Sequence, residues 1–122
     1  MDLITDLKMN CPKDFTIYSR DDSLTLPMLS VGAHGVISVA SHLFGKEIKS
    51  MIRNFKTGDV LTARNMHQKL YPIFKKLFMA PNPDPVEAAL AYKEIINDYV
   101  RRPLVELTKS EKAELIFTLD SI

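Results

Sequence analysis

The distribution of β-forming residues constrains this chain more than any other feature. Two short runs, FTIYS at 15–19 and GVISV at 35–39, are rich in β-branched and aromatic side chains, and the pattern after Ala40 is helical throughout. The segment between the runs reads as one short helix. Asp22 or Ser23 can cap it, Pro27 is tolerated early because first-turn amides lack intrahelical partners, and Gly32 supplies the stop. The continuous apolar run VISV suits a parallel strand covered on both faces. Strand, helix and strand at this spacing make one right-handed βαβ unit. Two parallel strands are marginal alone, so most of the stability must come from the helices.

Upstream, Leu3, Ile4 and Leu7 stand at helical spacing and Pro12 closes the segment. Downstream, Ser41 can cap a helix carrying Leu43, Phe44, Ile48, Met51, Ile52 and Phe55 on one face, ended by Gly58. A second helix, from about 59 to 79, carries Leu61, Met66, Leu70, Ile73, Phe74 and Leu77, with Pro72 expected to kink it. PNPDP at 81–85 is a rigid connector, and a third helix is expected over about 86–98. RRPLVEL then runs extended around Pro103. Thr108 and Glu111 form a capping box for a last helix that turns Leu115, Ile116 and Leu119 inward. The expected class is mostly α with a small β part.

Sixteen basic and fifteen acidic side chains leave a net charge of +1, so neither nucleic acid nor a membrane surface is an expected partner. Cys11 is the single cysteine, which excludes an intramolecular disulfide and a thiolate zinc cluster and fits a cytoplasmic protein. No apolar run approaches the roughly 20 residues of a membrane span. The opening MDLITDLKMN has no signal-peptide core.

Candidate chemistry is sparse. Asp21 and Asp22, neighbours on a strand-to-helix turn, suit helix capping and dipole complementation better than a carboxylate dyad. His34, His42 and His67 lack metal-ligand spacing. Ser19, Ser38 and Ser41 lack a nucleophile-elbow context. The GAHG turn at 32–35 has no phosphate-binding fingerprint around it. Lys75, Lys76, Arg101 and Arg102 read as solvated charges. Residue by residue, the sequence shows no catalytic set and implies no metal and no cofactor.

Three stretches carry a resemblance. YSRDDSLTLPMLSVGAHGVISVASHL at 18–43, KLFMAPNPDPVEAAL at 76–90 and RRPLVELTKSE at 101–111 resemble, in order, segments of the dihydrodipicolinate synthase family. Members of that family are (β/α)₈ barrels followed by a small helical C-terminal domain, commonly tetrameric. They condense pyruvate, held as a Schiff base on a lysine, with aspartate semialdehyde in lysine biosynthesis. A whole barrel takes about 250 residues, so the resemblance implies the last two βα units of a (TIM) barrel plus the C-terminal domain. On that reading residues 1–57 are a partial barrel segment and 58–122 the helical domain. FTIYS matches the seventh strand and GVISV the eighth.

The resemblance places the Schiff-base lysine, the catalytic tyrosine, the threonine pair and the arginine for the second substrate upstream of Met1. No catalytic residue is then expected here. The lysines present, Lys8, Lys46, Lys49 and Lys75 among them, lie on polar helical faces without the desolvation a Schiff-base amine requires. Ile37 matches the isoleucine whose backbone lies beside pyruvate and is a vestigial substrate-binding position. Arg20 stands where the family motif has glycine, so it is expected to fill a pyruvate pocket, to serve an interface, or to pair with Asp21 or Asp22. Expected partners are further copies of the chain, as a dimer or tetramer formed over bare strands and the 23–31 segment. The alternatives are a full-length paralogue, to which this chain is a regulatory or scaffold subunit, and a separate N-terminal half that completes a split enzyme.

Overall fold

The computed structural model describes all residues, Met1–Ile122. Helix α1 (Asp2–Asn10) leads to strand β1 (Tyr18–Ser19), a 3₁₀ turn (Asp22–Leu24), α2 (Thr25–Ser30) and strand β2 (Gly35–Val36). Four helices follow: α3 (Ser41–Lys56), α4 (Val60–Lys76), α5 (Asp84–Tyr92) and α6 (Lys109–Asp120).

The two strands pair in parallel, Tyr18 opposite Gly35 and Ser19 opposite Val36. Hydrogen bonds bracket the ladder, His34 N–H donating to the Ile17 carbonyl at 2.7 Å and Ile37 N–H to the Ser19 carbonyl at 2.8 Å. The ladder is shorter than the five-residue runs that predict it, because each strand has one neighbour and the chain leaves the sheet at Asp21 and Ser38. Alternation decides what is covered. Ile17, Ser19 and Val36 lie toward the helices, while Tyr18 and Ile37, 46% and 72% exposed, occupy the open face. Ile17, expected to be partly bare, is therefore buried, while Val36 is half-buried.

Two of the expected stops form complete Schellman motifs. After α2, Gly32 takes φ +98°, its N–H reaching the Leu29 carbonyl and the Ala33 N–H the Met28 carbonyl. After α3, Gly58 takes φ +92°, with Gly58 bonded to Phe55 and Asp59 to Asn54. A third motif was not anticipated. Helix α5 ends at Tyr92 rather than near Asp98, because Glu94 adopts φ +58° and Ile95 N–H bonds back to the Leu90 carbonyl at 3.0 Å. Helix α4 ends at Lys76, short of Met79, and carries Pro72 inside it without interruption. Gln68, whose carbonyl loses its donor to the proline, is exposed, so water can reach it. The break in helical dihedrals lies instead in α3, at Phe44 (φ −121°, ψ 31°).

Caps also differ in detail. Asp59 caps α4 through Thr62 N–H at 3.1 Å, and Thr108 with Glu111 forms the expected capping box on α6. Ser41 does not cap α3. Its N–H donates to Ser38 Oγ at 2.8 Å, and Ala40 holds the cap position.

The main core lies among α3–α6, where Met51, Leu70, Ile73, Phe74, Leu77 and Leu115 are almost wholly buried. Each contributes about 1.5–3 kcal/mol by leaving water. Ala63 and Ala89, also without exposed surface, let neighbouring helices approach. A second, small cluster of Ile17, Met28 and Ala33 joins β1 to α2, with Ile4 of α1 against it. Helix α1 buries none of its residues, and Leu3 and Met9 stand exposed. No helix is long and apolar enough to cross a membrane.

Candidate functional site

Parallel α/β units bind ligands beyond the carboxyl ends of their strands. That end is built here from Ser19 to Asp22 and from Ile37 to Ala40. Ser19 is buried, its hydroxyl donating to the Asp21 carbonyl at 2.7 Å, and this tightens the turn out of β1. Asp21 caps the 3₁₀ turn, its Oδ1 accepting from Ser23 N–H at 2.8 Å and from the Ser23 hydroxyl at 2.7 Å.

Asp22 has a different task from the helix cap expected of it. It is 1% exposed, and its Oδ2 accepts from Val39 N–H at 3.1 Å and Ala40 N–H at 3.0 Å. The carboxylate thus ties the exit of β1 to the exit of β2, at the positive end of the sixteen-residue helix α3. Its Oδ1 and the nearby Thr25 Oγ1 are buried without a hydrogen-bond partner. Sequence spacing carries no signal for this tether, because its acceptor and donors lie 17 and 18 residues apart.

The register, carried one residue past the ladder, sets Arg20 opposite Ile37 on the open face. Ile37 spends its N–H on Ser19 and leaves its side chain in the open. Arg20 is exposed and forms no ion pair with Asp21 or Asp22. Those carboxylates are committed to Ser23 and to the 39–40 amides. Tyr18 rests on His34, ring centroids 5.3 Å apart, and closes over Gly35, where an added Cβ would meet the tyrosine ring at 3.5 Å.

No lysine of the chain is buried. Lys112 titrates above its ordinary value because Asp98 and Glu106 stabilise its charge, the opposite of what a Schiff-base nucleophile needs. His67 lies against Tyr71 and Phe74, and burial holds it below its ordinary value, with Nδ1 unpartnered. It belongs to the helical bundle, on α4. His34, His42 and His67 join no metal-binding cluster.

A sequence model of the dihydrodipicolinate synthetase family matches residues 1–122. The 4-hydroxy-tetrahydrodipicolinate synthase of Bacillus subtilis (strain 168) is 47% identical over 122 residues, covering 100% of this chain and 42% of the relative. That of Desulforamulus reducens is 51% identical over 108 residues, covering 88% of this chain and 36% of the relative. Among solved structures, the 4-hydroxy-tetrahydrodipicolinate synthase from the thermoacidophilic methanotroph Methylacidiphilum fumariolicum SolV superposes with a TM-score of 0.95 at 42% identity, over 98% of this chain and 40% of that one. Dihydrodipicolinate synthase from Aquifex aeolicus gives 0.94 at 38% identity, over 98% of this chain and 41% of that one. The chain thus spans 42% or less of the length of these relatives.

Proposed function

The chain belongs to the dihydrodipicolinate synthetase family, and we propose that its residues form the C-terminal part of a synthase of that kind. On this reading β1 and β2 are the last two strands of a (β/α)₈ barrel. Residues 1–57 are the barrel part and 58–122 the helical domain. The reaction is condensation of pyruvate with aspartate semialdehyde through a Schiff base. The TM-score of 0.95 over 98% of the chain is the observation that carries this reading.

These residues do not perform that chemistry by themselves. A Schiff-base amine must be desolvated to lose its proton near neutral pH, and every lysine here keeps contact with water. Ile37 would contribute only backbone to bound pyruvate. Arg20, in place of the family's glycine, would crowd the same space. Incubation with pyruvate and borohydride should therefore add no mass to the chain. A stoichiometric adduct on any lysine would overturn the proposal.

The open face leads to self-association. Phe15, Tyr18 and Ile37 are 51%, 46% and 72% exposed beside strands whose outer edges have no neighbour. Unpaired edges and apolar surface of this kind recruit other chains. Closed two-fold assemblies are the commonest outcome, so a homodimer or homotetramer is expected. Light scattering should report it, and Ile37→Asp should dissociate it while Lys93→Ala leaves it intact. A well-folded wild-type monomer would refute self-association. The same edges favour a second reading, that a segment carrying the other strands completes the barrel. Co-expression with such a segment should then restore the pyruvate adduct on that segment.

A further inference from the structure

The net charge of +1 averages over an uneven distribution. Residues 41–80, which fold into α3 and α4, carry eight basic and two acidic side chains, while the rest of the chain carries eight and thirteen. The helical pair thus stands at +6 and the remainder at −5. On α3 the charge is concentrated in one row. Lys46, Lys49, Arg53 and Lys56 recur at intervals of three, four and three residues, on the side opposite the buried Ile48 and Met51. All four are exposed along one shallow groove, and none joins an ion pair. The helix's one acid, Glu47, lies outside that groove. Like charges three and four residues apart repel along a helix, and nothing in the chain relieves them here. The acids of the remainder form no matching row for a second copy to offer. Asp98, Glu106, Glu114 and Asp120 already hold lysines, and α1 brings only Asp2 and Asp6.

We propose that this face of α3 docks on the phosphate backbone of duplex DNA, reading charge and not sequence. The row is about 15 Å long at 1.5 Å per residue, and one strand of a duplex presents about four phosphates over that length. Four cations therefore meet about four phosphates. Docking releases the counterions condensed on the duplex, a gain that an acidic protein surface does not offer. Exposed ion pairs with such a protein contribute little each and leave the cost of association unmet. A membrane is disfavoured because the apolar face of α3 is spent on the core and cannot insert. The row holds no aromatic side chain on which an unpaired base could stack, which favours a duplex over a single strand. The expectation drawn from net charge fails locally, because a sum over the whole chain hides a row of one sign. Docking there requires neither a Schiff base nor a completed barrel, so it goes beyond the lyase reading.

The test is fluorescence anisotropy of a labelled DNA duplex, titrated with the chain at several potassium chloride concentrations. Binding should saturate below about 100 μM chain at about 50 mM salt. Four neutralised phosphates give a slope of about −3.6 in log affinity against log salt, so affinity should fall about 150-fold between about 50 and 200 mM. Two duplexes of unrelated sequence should bind alike. Lys49→Gln with Arg53→Gln, at exposed positions where glutamine suits a helix, should keep the circular dichroism spectrum and bring the slope to about −1.8. Lys93→Gln, outside the row, should leave the slope unchanged. Polyglutamate and phosphatidylglycerol vesicles serve as competitors, and each should displace the duplex less well than unlabelled DNA of equal charge. No binding at the lower salt, a slope that the double substitution leaves unaltered, or a strong preference between the two sequences would overturn the proposal. Better competition by polyglutamate would assign the row to an acidic protein, and better competition by vesicles to a lipid surface; either outcome also overturns it.

Discussion

Removing the Asp22 carboxylate should loosen the joint between the two strand exits, and the structure sets the size of the effect. Two backbone donors, Val39 N–H at 3.1 Å and Ala40 N–H at 3.0 Å, depend on Oδ2 alone. Ala40 has no exposed surface and Val39 is half-buried, so water cannot readily replace the acceptor at Ala40. A stranded buried donor costs about 1–3 kcal/mol, and hydrogen bonds to an ionised acceptor lie toward the upper part of that range. Against this stands relief from burying a carboxylate whose Oδ1 has no partner. The net expectation for Asp22→Ala is a loss of about 2–4 kcal/mol. Asp22→Asn keeps an oxygen for both amides but loses the charge, and its NH₂ would sit where Oδ1 finds no partner. Its loss should be about 1–2 kcal/mol. Urea denaturation followed by circular dichroism gives the two free energies, and hydrogen exchange at residues 39 and 40 gives the local effect. If Asp22→Ala matches wild type in stability with those two amides still protected, the tether is not what holds the strand exits together.

Three further expectations concern the helix ends and the bundle. Glu94 holds a left-handed conformation that costs a residue with a Cβ about 1–2 kcal/mol, so Glu94→Gly should stabilise the chain by about 1 kcal/mol after its greater unfolded-state entropy is counted. Gly58 has the same backbone role with nothing within 4 Å of an added Cβ, so Gly58→Ala should destabilise by about 1 kcal/mol from backbone strain alone. Thermal melts of the two variants should move in opposite directions; shifts of the same sign would contradict this. His67 is held below its ordinary value of 6.5 by burial, so on acidification the unfolded chain takes up this proton first. Its contribution to stability is complete above 6.5 and declines as pH falls through the folded-state value. His67→Gln should flatten that acidic slope in denaturation curves measured across it, and an unchanged slope would assign the titration elsewhere.

Much of the local architecture was legible in the sequence because its causes are local. Gly32 and Gly58 stop helices through their own backbone freedom, and Thr108 with Glu111 reaches no further than one helical turn. The helical face of Ile48, Met51, Leu70, Ile73 and Phe74 follows from spacing, and these residues do form the core. The family motifs likewise lie in continuous stretches. Other features depend on elements that meet only in the folded chain. Period-two alternation sorts Ile17 and Ser19 from Tyr18, but docking of the helices decides which set is covered. A left-handed Glu94 has no signature in residue type, because the strain of that conformation is offset by carbonyls of α5 that must first be in place. Asp22 looks like any helix cap until the turn of β2 brings the Val39 and Ala40 amides to it across 17 and 18 residues. Arg20 and Lys75 line one cleft for the same reason: they meet only because α4 packs against the turn after β1.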